Sequence, residues 1–265
     1  MSFNILVLNF QNKIKQIKQK GGFLLRDQKK LGFVGVKKQD ICIYFAAILN
    51  NLGYRVLVED LSYEQEILSC IPALPNSRPK IFYRRKESGT IHGAVAEENR
   101  MYFEKRTYKN VDYIGRTEED SREYDYLLVN LGEWAQSTQL KEVDEIILVT
   151  DCEKLNIEKY QKFLQIFSFP MSLVIRNIHV IHRKNKILRE WMNLQEWNLI
   201  EKYFLPFRLN DEEYRIGMQY EPLDEFRRIS ENMKAVLVKF CREYTENKLS
   251  EILLALSYAK NGKCS

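Results

Sequence analysis

A helix-length apolar stretch set between two short apolar runs constrains this chain most. Residues 31–36, LGFVGV, form a strand-like run containing Gly35 near its end. Residues 40–51 follow, with Ile41, Ile43, Tyr44, Phe45, Ala46, Ala47, Ile48 and Leu49 on nearly every side of a helix. A helix that is apolar all round is an enclosed one. Gly53 breaks it, and residues 55–58 make a second strand-like run ending at Glu59 and Asp60. Strand, loop, buried helix and strand form a βαβ unit. The loop before the helix lies at the helix's positive end, where such folds hold phosphate.

The rhythm returns later in the chain. Residues 126–131, 144–150 and 171–176 read as buried strands, and 203–207 as a short last strand. Helices are expected over 155–167, 186–200 and 230–244. A final helix repeats the spacing with Leu249, Ile252, Leu253 and Leu256. Residues 64–70 read as a short helix stopped by Pro72 and Pro75. Residues 76–116 break the pattern, with short runs at 81–83, 91–92 and 100–103 that suggest an insertion or an edge hairpin. Before all of this, 3–10 reads as a strand and 12–20 as a basic stretch closed by Gly21 and Gly22. The expected organisation is a short basic leader, 1–30, and one α/β domain, 31–265. Its sheet is mostly parallel and covered by helices on both faces.

With 265 residues, 45% of them hydrophobic, the chain can bury a sizeable core. The formal charge of +5 is too small to argue for nucleic acid by itself. Its excess sits early: Lys13, Lys15, Lys18, Lys20, Arg26, Lys29, Lys30, Lys37 and Lys38 face only Asp27 and Asp40. That patch reads as a solvated helix face, with anionic lipid, nucleic acid or an acidic partner as the functional alternatives. Five scattered cysteines without a CxxC pair fit a reducing cytoplasm and no zinc site. The first residues lack the features of a secretory signal, and the longest apolar run is too short to span a bilayer. His179 and His182 read as loop histidines without a carboxylate cluster, and Trp134, Trp191 and Trp197 as core aromatics.

Five stretches carry a family resemblance. They are the βαβ unit, YKNVDYIG, YDYLLVNLGE, SLVIRN and YFLPFRLNDEEYRIGMQYEPLDEF, in that order. Together they resemble the deviant-Walker ATPases of the MinD/ParA group, and within it the CpaE/TadZ-type proteins of Flp/Tad pilus assembly. The resemblance implies a P-loop NTPase-like, doubly wound sheet. A working loop of that family has the form GxxxxGK[ST]. Here Gly35 matches the first glycine, and Val36, Lys37, Lys38 and Gln39 follow. The second glycine falls at Asp40 or Ile41, the lysine at Ile41 or Cys42, and the hydroxyl at Cys42 or Ile43. An aspartate in the cradle repels phosphate. Lys37 lies one residue off the family's extra lysine and is a surrogate cation or a solvated side chain.

The resemblance also places Asn130 where the Walker B aspartate belongs, Asp60 at the acidic end of the second strand, and Asn177 where the base is recognised. Each has a plain alternative: a strand-end acid for Asp60, a turn former for Asn177. The expectation is therefore a catalytically impaired homologue that needs no cofactor and acts as a scaffold. The resemblance gives it the protein partners of a pilus or secretion assembly, a homodimeric state, a cytoplasmic location and peripheral membrane contact, with nucleic acid not expected. An ATP-binding switch with an atypical loop is the alternative, and a membrane or nucleoid contact through the leader or last helix a third reading.

Overall fold

Strand β1 (Lys29–Gly35) lies inside an eight-stranded sheet. The computed structural model describes residues 28–72, 105–115, 123–135, 137–166, 169–179, 199–221 and 229–261. The strands are β2 (Val56–Asp60), β3 (Arg106–Tyr108), β4 (Val111–Gly115), β5 (Tyr126–Asn130), β6 (Glu145–Asp151), β7 (Met171–Ile178) and β8 (Leu199–Pro206). Their order is β3-β4-β2-β5-β1-β6-β7-β8. All neighbours run parallel except β3, which pairs antiparallel with β4. From β1 the chain crosses to β2, returns through β5 to fill the gap beside β1, and then builds outward through β6, β7 and β8. The carboxyl ends of seven strands, β1, β2 and β4 through β8, therefore meet at one edge.

Alternation along each strand feeds two cores. In β1, Leu31 and Phe33 enter one core and Val34 the other. In β5, Tyr126 and Leu128 face the first, Leu127 and Val129 the second. Strands buried on both faces need no polar side, which is why their sequences are continuous apolar runs. The first core is covered by α1 (Gln39–Asn51), α5 (Glu231–Tyr244) and α6 (Leu249–Lys260). On the other face Ile157, Tyr160 and Phe163 of α3 (Lys154–Ile166) pack with Leu140 of the one-turn α2 (Ser137–Leu140).

Helix α1 is enclosed as its sequence requires: every residue except Asn50 is buried. Phe45 meets Phe240 edge-on at 5.7 Å and Tyr244 at 5.9 Å. Fully burying one such side chain is worth ~1.5–3 kcal/mol. Ile252, Ala255, Leu256 and Ala259 of α6 are spent on the same core. The last helix thus packs on its own domain. Helix α5 starts at Ser230, whose Oγ accepts from Met233 N at 3.1 Å. Asp211 of α4 (Leu209–Gly217) accepts in turn from Ser230 N and Oγ, at 2.7 and 2.6 Å.

Several expectations change. Residues 64–70 hold only a 3-10 turn, Leu68–Cys70, because Asp60 captures the backbone there. Strand β8 begins at Leu199, so the helix expected over 186–200 does not extend through its last two residues. Helix α4 has no counterpart among the expected elements. Within 76–116, residues 106–115 form the β3–β4 hairpin, and β4 is an integral parallel strand beside β2. Trp134 stands in a loop with 47% of its surface exposed, not in the core. The elements expected over 3–10, 12–20, 81–83, 91–92 and 100–103, with Trp191, Trp197 and His182, lie outside the described residues.

Candidate functional site

The turn between β1 and α1 is short. Only Val36, Lys37 and Lys38 separate the strand from the helix. Gly35 takes φ +112°, and a Cβ there would lie 1.9 Å from Val149 O. A glycine is obligatory at such a position. The first amides of the turn are paired with neighbouring backbone: Gly35 N donates to Gly132 O at 3.0 Å, and Val36 N to Val149 O at 2.9 Å. Lys37 is left-handed, φ 53°, a conformation that costs a side-chain-bearing residue ~1–2 kcal/mol. It is tied at both ends. Its Nζ lies 2.8 Å from Asp151 Oδ2 and 3.6 Å from Glu153 Oε1, and its carbonyl accepts from Arg176.

Lys38 points inward and is fully buried. Its ammonium donates to Gly35 O at 2.8 Å and to Glu66 Oε2 at 2.5 Å. A buried ammonium requires such partners. Asp40, in the first turn of α1, is also fully buried. It receives both arms of the Arg176 guanidinium, Nη1 at 2.5 Å and Nη2 at 2.8 Å. Its Oδ1 also accepts from Ile41 N at 2.8 Å. A carboxylate in the first turn meets the positive end of the helix. The anion at the start of α1 is thus supplied by the chain itself. Burial works against the charge on Arg176, and Asp40 more than compensates, so its pKa is raised.

Asp60, at the end of β2, has both oxygens engaged. Oδ1 accepts from Asn130 Nδ2 at 2.7 Å and Ser62 Oγ at 2.6 Å; Oδ2 accepts from Ile67 N at 2.7 Å and Leu68 N at 3.0 Å. Asn130 closes its own side by accepting from Gly132 N at 3.1 Å. Burial pushes the Asp151 carboxyl up, but Asn156, Lys37 and the Glu153 N–H outweigh it and hold it below the usual range. Ile41 and Cys42, at the lysine and hydroxyl positions of the resemblance, are fully buried, and burial drives the Cys42 thiol up. Gln39 is buried with its Oε1 unpartnered. Asn177 follows Arg176 and takes a left-handed φ of 55°. Just beyond it, His179 stacks on Phe207 with centroids 4.6 Å apart.

The structure therefore gathers Gly35, Lys37, Lys38, Asp40, Asp60 and Asn130 at one end of the sheet. Lys37 is ion-paired and Lys38 buried, so neither is the freely solvated side chain that one reading allowed. Arg176, Glu66 and Asp151 were not anticipated. One signal existed for Arg176: it is the single charge at the end of an otherwise apolar strand, MSLVIR. Among the described residues no group of three or more His, Cys, Asp or Glu is placed to hold a metal, and no helix is long and apolar enough to cross a membrane.

Strand order, crossovers and the loop–helix junction at the sheet edge define a P-loop NTPase-like α/β fold. Solved structures of that fold match over most of the chain. One is the MinC:MinD cell division protein complex of Aquifex aeolicus, with a TM-score of 0.53 at 14% identity over 83% of this chain and 98% of that one. A plasmid partition protein of Borrelia burgdorferi bound to AMPPNP gives 0.48 at 14% identity, over 87% and 99%. A ParA family ATPase of Chlorobium tepidum gives 0.42 at 11%, over 88% and 97%. No protein-family model matches the chain, and no characterised protein matches its sequence. The fold is that of the MinD/ParA proteins, and identities this low carry the fold alone.

Proposed function

We propose that this chain is a MinD/ParA-fold protein whose phosphate site is filled by its own side chains, and that it works as an assembly or positioning scaffold without ATP turnover. The observation that carries the reading is the buried Asp40–Arg176 pair at the start of α1. A triphosphate there would need the helix's positive end, free loop amides and an unpaired cation. The helix end faces Asp40, the Gly35 amide is bonded to Gly132 O and the Val36 amide to Val149 O, and Lys37 and Lys38 are ion-paired. The residues present do not fit the ligand.

A scaffold of this kind acts through protein contacts. The resemblance to CpaE/TadZ-type proteins makes a pilus or secretion assembly the leading setting, with a homodimer at the cytoplasmic face of the membrane as its working form. The competing reading is an ATP-binding switch in which Lys37 and Lys38 leave their carboxylates for the phosphates. Titration calorimetry of the full chain with ATP and Mg²⁺, together with phosphate release, decides between them. The proposal expects no binding tighter than ~1 mM and no release above background. Micromolar binding with turnover, lost in Lys37→Ala/Lys38→Ala, overturns it.

A further inference from the structure

Strand β8 ends the sheet on one side. It pairs with β7, and among the described residues no strand lies beyond it. It is eight residues long, Leu199–Pro206, whereas the strand at the opposite end, β3, has three. An edge strand turns part of its backbone N–H and C=O groups outward, ready to pair with another extended chain. Ile200 and Phe204 of β8 are 48% and 41% exposed. Tyr203 and Leu205, which alternate with them, pack in the first core, where Tyr203 meets Phe240 edge-on at 4.7 Å.

One stretch of the sequence matches this edge. Residues 3–10, FNILVLNF, carry no charge, and as a strand they are apolar on both faces. Such a run needs cover on both sides, which a sheet layered between helices supplies. Its length is that of β8, ~26 Å. The tether also fits. The strands β1, β6, β7 and β8 are parallel neighbours, so the chain enters β1 at the edge of the sheet where β8 begins. A strand added beyond β8 lies four spacings from β1, or ~19 Å. Residues 11–27 span up to ~56 Å when extended. The shortest path brings Phe10 to the amino end of β8, which makes the added strand antiparallel. A parallel one would send the tether back along the sheet as well. We propose that residues 3–10 close the edge as a further strand, antiparallel to β8, with their apolar side chains on Ile200 and Phe204. The closed edge keeps β8 from templating association with other chains. This does not depend on whether the chain binds ATP.

The test uses the full chain with the photocross-linker p-benzoylphenylalanine placed at Phe3 or at Phe10, and cross-linked peptides mapped by mass spectrometry. From position 10 the capture is expected near Leu199, from position 3 near Pro206, both within one chain. The yield should fall at least fivefold in Ile200→Lys/Phe204→Lys, and equally in Ile5→Asp/Val7→Asp, which alters the segment and leaves β8 intact. It should stay within twofold in Leu249→Lys/Leu253→Lys, which changes the other exposed apolar pair, on α6. Capture on α6 or elsewhere, no capture, or equal loss in all three variants overturns the proposal. Capture in the reverse order overturns the antiparallel assignment. Cross-links that join two chains overturn closure within the chain and give the edge to a second copy.

Discussion

Arg176, near the end of β7, holds Asp40, at the start of α1, through both guanidinium arms across 136 residues of sequence. Both side chains are at most 2% exposed. Neither charge is reachable by water, so each depends on the other.

Removing one partner should therefore be costly. Arg176→Ala and Asp40→Asn are each expected to lose ~3–5 kcal/mol, because a buried charge is left alone. An apolar replacement of both, Asp40→Leu/Arg176→Met, should recover most of that loss. Urea denaturation of the three variants measures it. A double variant no more stable than the singles would show that the pair does more than neutralise itself.

Asn130→Asp recreates the acidic residue that the resemblance leads one to expect. It replaces the amide donating at 2.7 Å to Asp60 with a second carboxylate. The new group's folded pKa is then raised above its unfolded value of ~3.9. The penalty is full above the folded pKa and vanishes as pH falls below the unfolded one. The variant should be ~2–4 kcal/mol less stable than the parent at pH 7 and close to it near pH 4. Denaturation midpoints across that range provide the comparison.

Asp151 gives the opposite slope. Its folded pKa is depressed, so its stabilisation is present above the unfolded pKa and is lost as pH falls through the folded one. Asp151→Asn should be less stable than the parent at pH 7. The gap should close as the medium is acidified below ~4. Parallel curves for the two proteins would mean that the carboxylate is not linked to folding.

Gly35→Ala places a methyl group 1.9 Å from Val149 O at a positive φ. The β1 end must shift away from β6, and the expected loss is ~3 kcal/mol or more. Thermal unfolding reads it directly. Gly53, also at positive φ but with open space around it, is the control: Gly53→Ala should lose only about 1 kcal/mol.

Sequence pattern carried the fold further than the site. Residues 126–131, 144–150 and 171–176 are apolar because strands covered on both faces must be, and that pattern is local. Helix α4 escaped because LNDEEYRIG lacks an apolar stripe and buries little beyond Asp211. Strand β4 escaped because VDYIG is short and follows a charged stretch. At the site, Gly35, Lys37, Lys38, Asp40, Asp60 and Asn130 were found through position in a motif. What each does is set by partners far away: Glu66 for Lys38, Arg176 for Asp40, Asp151 for Lys37. No spacing rule connects residues brought together only by a parallel sheet.

The enclosure of α1 also governs when the protein can fold during synthesis. The helix ends at Asn51, yet its cover, α5 and α6, begins at Glu231, and Asn51 itself bonds to Ala255. A ribosome adding 5–20 residues per second needs roughly 10–40 s to supply that cover. For that interval Phe45 and its neighbours have nothing to pack against on one side. The yield of folded protein should then depend on elongation rate more than that of a protein whose first helix is covered by the next one made.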